Sequence, residues 1–142
     1  MRRLGGILSV LGLGLLAGGM LLFPIMTLLL FTRLPFNVAG PFVSGCFPVY
    51  YGFMLVLSAL AGIGFALRGE GKTALLPWCV SLITLWAWLW LIPLLDSYRR
   101  AGNMVDFNRG HTLSVWIDGL EFLVIVVLLI REGARSARSR AR

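Results

Sequence analysis

Four side chains carry the sequence's densest opportunity for chemistry: His111, Ser114, Asp118 and Glu121. Residues three, four and seven apart share one face of a helix, so the spacing puts all four on one stripe. The stripe runs through an apolar stretch, Leu113 to Ile130, long enough to cross most of a ~30 Å hydrocarbon layer. Glu121 falls near its middle. An ionisable group at that depth marks a functional site by default, because a charge there is expensive. On an insertion scale about 13 strongly apolar residues favour entry by about 4–8 kcal/mol, while one central acid costs about 2.5–3.5 kcal/mol. Two acids cancel most of that drive, so the helix needs partners in a bundle, protonated carboxyls, or both. Asp118 is expected to bridge to Arg33, Arg99, Arg100 or Arg109, and Glu121 to remain uncharged. The plainer alternative is that both acids pair with a neighbouring arginine and only fix helix register.

The elements that must hold this stripe follow from composition. The chain has 142 residues, 58% of them hydrophobic, with a mean hydropathy of +0.88. That places it among multi-pass membrane proteins of all-α class. Four membrane helices are expected, at about 4–31, 47–67, 74–95 and 113–130, making one four-helix domain over 1–130. A basic tail, 131–142, follows (REGARSARSRAR). The segment Thr32 to Cys46, with two prolines and two glycines, reads as a loop lying in the interface or folded back on the bundle. Gly5, Ser9, Gly12 and Gly19 form a small-residue stripe, and Gly14 and Gly18 form a GxxxG pair. Both suit close helix packing, within the monomer or between copies. Ser58, Gly62 and Ala66 are the matching small face of the second helix. Tyr50, Tyr51, Trp88, Trp90 and Trp116 read as an aromatic belt at one interface.

The net charge of +7 does not point to nucleic acid, because the arginines flank the spans and no nucleic-acid motif is present. Nine basic residues fall on the side of the termini (Arg2, Arg3, Arg68, Lys72, Arg131, Arg135, Arg138, Arg140, Arg142). Four fall on the other side. The split puts both termini in the cytoplasm of a bacterial-type inner membrane. The turn RGEGKT imitates a nucleotide-binding loop, but GxxxxGK[ST] needs glycine where Ala66 stands. Nucleotide binding is rejected. Cys46 and Cys79 are isolated and expected near opposite faces, so no disulfide joins them.

Several short motifs resemble a small four-helix membrane family of unknown function that includes the vertebrate transmembrane protein associated with cisplatin resistance. The positions are Phe31, Leu34, Pro35, Gly40, Ser44, Phe47, Pro48 and Tyr50, then Trp90, Leu91 and Pro93, then Phe107, His111 and Ser114. The sequence departs from that pattern at Thr112, where glycine is expected, at Asp118, where asparagine is expected, and at Ile92, where an acid is expected. The resemblance implies a membrane fold and, weakly, handling of toxic metal complexes.

Three functions remain. One is a non-catalytic membrane component, acting as an oligomer or accessory subunit in the lipid bilayer. Another is a small exporter or permeation unit for cations or metal complexes, with Ser58, Ser81 and Thr84 continuing a thin path inward. A soft-metal version would use Cys46, Met26, Met54 and His111. The third is a pigment- or haem-binding subunit with His111 as axial ligand, although a single histidine allows no bis-His site in one chain. The sequence requires no cofactor and shows no catalytic constellation.

Overall fold

The computed structural model describes the backbone of residues 1–140 and the side chains of residues 1–138. Four apolar rods form an all-α membrane bundle. They are α1 (Arg2–Arg33), α2 (Phe36–Leu67), a third span (Gly71–Arg100) and α5 (Met104–Arg140). The third span is built of α3 (Gly71–Trp86), one π-helical turn (Ala87–Leu91) and α4 (Ile92–Arg100). In lipid no water can satisfy an open backbone, so all four spans are helical.

The turns have local causes. Leu34 precedes a proline and is therefore extended, at φ −119° and ψ 150°, which ends α1. The Pro35 carbonyl then accepts from the amides of Val38 and Ala39 and starts α2 at once. The second helix thus begins at Phe36, eleven residues earlier than the sequence suggested. The expected loop from Thr32 to Cys46 is instead mostly its first three turns. Pro41 and Pro48 stand inside α2; a helix packed on neighbours in lipid tolerates the missing donors. Pro93 has the opposite effect. It has no amide to give the Leu89 carbonyl, and its ring crowds that turn. The helix widens instead, and the Ile92 amide reaches five residues back to Ala87. Gly69 and Gly102 close the other two turns at φ +80° and +71°, where only glycine is relaxed.

α2 lies between α1 and α3, and α5 packs on α1 and α4. α1 and α2 touch backbone to backbone. A Cβ on Gly12 would stand 2.9 Å from the Ala61 amide nitrogen and 3.0 Å from the Leu57 carbonyl oxygen. Gly5 and Gly64 are as tight against each other's helix. The expected small-residue stripe of Gly5, Ser9, Gly12 and Gly19 packs on α2, with Gly19 against the Phe53 ring, whereas the separate pair Gly14 and Gly18 has open space where a side chain would be. α5 continues helically through Arg140, so the described part of the basic tail is helix; residues 141 and 142, including Arg142, lie outside the described residues. Gly12→Ala is expected to destabilise the bundle by about 1–3 kcal/mol through overpacking. Gly14→Ala should be neutral or slightly stabilising. Unfolding of both variants in detergent checks the contrast.

Candidate functional site

The core-facing stripe of α5 runs Ser114, Glu121, Ile125, Leu128 and Glu132. Helical spacing aims both glutamates inward, three turns apart, and they meet opposite surroundings. At the end that carries both termini, Arg68 Nη1 donates to Glu132 Oε2, and its Nη2 lies 2.7 Å from Glu70 Oε1. Arg68 Nη1 also donates to Ser9 Oγ at 2.9 Å, and the guanidinium lies 5.3 Å over the Phe65 ring. Arg135 of α5 completes the circuit, 2.6 Å from Glu70 and 3.5 Å from Glu132. Arg131 donates to Thr73 at 3.3 Å. The network links α1, the α2–α3 turn and α5, and the sequence reading missed it. The signal was available: Glu132 continues the i, i+3, i+4 pattern of Glu121, Ile125 and Leu128.

Mid-membrane, Glu121 is only 4% exposed and its Oε1 has no hydrogen-bond partner among the described residues. Thr84 of α3 faces it, but its Oγ1 is unpartnered as well, so the two approach without completing a bond. Tyr50 and Tyr51 of α2 are within electrostatic reach of both Asp118 and Glu121. These tyrosines are core residues, not members of an interfacial belt; Tyr50 stacks on Phe23 at 4.1 Å. Asp118 is half-buried and lines a cleft of about 310 Å³ between α1 and α5, with Pro24, Tyr50 and Phe122 among its walls.

The expected ion pairs to Asp118 are not made. Arg99 and Arg100 bind Asp96 at 2.6 and 3.0 Å, and Arg109 reaches Asp106 at 3.7 Å. Arg33 has no ion pair among the described residues. The reason is reach: Arg99, Arg100 and Arg109 each find an acid three or four residues away on their own helix, outside the apolar layer. Asp118 lies nine residues beyond Arg109, or about 13 Å along α5.

The other candidate residues disperse. Ser114 is buried and donates to the His111 carbonyl at 2.8 Å. His111 is exposed and stacks on Phe107, ring centres 5.9 Å apart. Cys46 is half-buried, Cys79 exposed and Met54 fully buried in the core. Met26 is half-buried on α1. No group of three His, Cys, Asp or Glu side chains suited to a metal occurs among the described residues. The motif positions have structural duties. Phe31 packs on Phe36, Leu34 and Pro35 make the first turn, and Gly40 sits beside Phe36. Ser44 accepts from Arg99, Phe47 packs on Phe23, and Pro48 and Tyr50 follow one turn on. Trp90 stacks on Trp86, Leu91 is buried, and Pro93 sets the π turn.

Glu70 lies outside the spans and titrates accordingly. Desolvation pushes its carboxyl up, but the Arg135 hydrogen bond and the Arg68 charge outweigh it and hold it below 4.5. A depressed folded-state value stabilises above the unfolded value and is lost as pH falls through the folded one. The thermal midpoint in detergent should therefore hold from pH 7 to about 5 and fall towards about pH 3, and Glu70→Gln should blunt the fall.

Residues 11–103 match a family described as a domain of unknown function, DUF4149. No curated protein and no solved structure matches the chain. The matched segment includes the motif positions from Phe31 to Tyr50 and from Trp90 to Pro93, and ends before Phe107. Nothing in it ties the chain to the vertebrate cisplatin-resistance-associated protein. The match spans well over half of this four-helix membrane protein, which belongs to the DUF4149 family.

Proposed function

We propose that the protein is a non-catalytic subunit working in an oligomer or a larger membrane assembly. The unpartnered acid pair carries this reading. Leaving a carboxyl buried without its hydrogen bonds costs free energy, and among the described residues no basic side chain pairs with either acid. The cleft beside Asp118 gives a neighbour access from the membrane side. The partner that complements it is a transmembrane helix offering a basic or hydrogen-bond-donating side chain. Gly14 and Gly18 of α1 leave room for close approach on an outward face.

A second reading is cation or proton passage. It is favoured by the run of buried polar groups from Glu121 to Thr84, Ser81 and Ser58, the last two with hydroxyls 2.7 Å apart. Flux into proteoliposomes that Glu121→Gln abolishes would replace the subunit reading with this one. For orientation, we infer cytoplasmic termini from the nine-to-four division of basic residues.

Cross-linking in native membranes followed by mass spectrometry tests the subunit reading. The wild type should yield a defined complex with links from the cleft around Val115 and Asp118. Asp118→Asn and Glu121→Gln should fold as well as the parent in detergent and lose that complex by tenfold or more, corresponding to about 1.4 kcal/mol. A monomer at every stage, or a complex indifferent to both substitutions, overturns the reading.

A further inference from the structure

At the end of the bundle with both termini, a cavity of about 700 Å³ opens between α1 and α5. Its floor is charged and its wall is apolar. Arg68 and Arg135 are already matched by Glu70 and Glu132, two bases against two acids. Arg3 also faces the cavity and has no ion pair among the described residues, which leaves an uncompensated positive charge. The wall is Ile7, Val10 and Leu11 of α1, each 40–56% exposed. It leads away from Arg3 along the apolar face of a membrane span. Gly6 hollows the groove, since nothing lies within 4 Å of where its side chain would be.

We propose that this cavity is a binding site for an anionic phospholipid, its phosphate held by Arg3 and Arg135 and one acyl chain lying along Ile7, Val10 and Leu11. Phosphate chemistry fits the charge, because guanidinium forks bind phosphate oxygens in pairs. The choice of a lipid over free phosphate rests on the wall. An inorganic ion has no use for an apolar groove running into the hydrocarbon layer, whereas a diacyl lipid matches both ends. The site is independent of the acid pair: it lies three helical turns away on α5 and uses none of the same side chains.

The purified full chain, delipidated and returned to nanodiscs of dioleoylphosphatidylglycerol or dioleoylphosphatidylcholine, tests this by native mass spectrometry and thermal unfolding. The wild type should keep a bound phosphatidylglycerol through detergent washes that strip phosphatidylcholine, and unfold at a higher temperature in the anionic discs. Arg3→Gln should weaken retention about fivefold, the worth of about 1 kcal/mol for one arginine at an anionic surface. Gly6→Phe puts a ring into the groove, where nothing lies within 4 Å of the added Cβ, and should abolish retention while the variant still unfolds cooperatively in phosphatidylcholine. Equal retention of both lipids overturns the proposal, as does wild-type retention by either variant. Inorganic phosphate stabilising the protein as strongly as phosphatidylglycerol at equal concentration would make it a free-phosphate site and overturn it too.

Discussion

The pairing of Arg68 with Glu132 holds together what the apolar faces alone leave loose. α5 touches α1 and α4 broadly but meets α3 at few points. Apolar side chains provide little drive between helices in lipid, where the tails are as oily as leucine. Orientation must come from close backbone packing or from polar contacts. α1 and α2 use the first, at Gly5, Gly12 and Gly64. α5 uses the second: Glu132 ties it to Arg68 at the foot of α2, and Arg68 in turn holds Ser9 of α1. Removing one member would leave the other charge stranded in a partly buried position, which costs more than the pair contributes when intact.

The six acidic residues divide by depth. Glu70, Asp96, Asp106 and Glu132 all have arginine partners near the membrane faces. Asp118 and Glu121 have none among the described residues, although the chain carries more than twice as many basic residues as acids. The unmatched pair also lies where the core changes character, between the rings of Phe23 and Tyr50, stacked with Tyr51 edge-on beside them, and the hydroxyls of Thr84 and Ser81. The site therefore borders a rigid aromatic wall on one side and a thin polar seam on the other.

The four spans were legible because hydropathy over some twenty residues is a strong, local signal. Asp118 and Glu121 stood out because they interrupt an apolar run, but the face they share was only partly legible: Ser114 and Glu121 are buried, Asp118 is half-buried and His111 is exposed. The beginning of α2 was not. Pro35, Pro41 and Pro48 all look like helix breakers, yet only the first ends a helix; whether the other two interrupt one depends on what the surrounding backbone packs against. The charged network was hidden for another reason. Arg68 and Glu132 are 64 residues apart, and the periodicity that aims Glu132 inward does not name the arginine it meets. The tyrosines were misplaced because a ring near the end of a span and a ring in the core look alike in one dimension.

The π turn at Ala87–Leu91 acts as a phase shifter. One extra residue in a helical turn advances everything beyond it by about 100° relative to an uninterrupted α-helix. In this bundle the shift decides which face α4 offers to α5, where Leu95 fills the space that a side chain on Gly110 would need. The third span thus carries two independent facing directions, one below the turn, where Ser81 and Thr84 look inward, and one above it, where Leu91 and Leu95 do. A proline placed four residues after Leu89 sets the angle between them, so the two halves of the span are free to serve different neighbours while remaining a single rod.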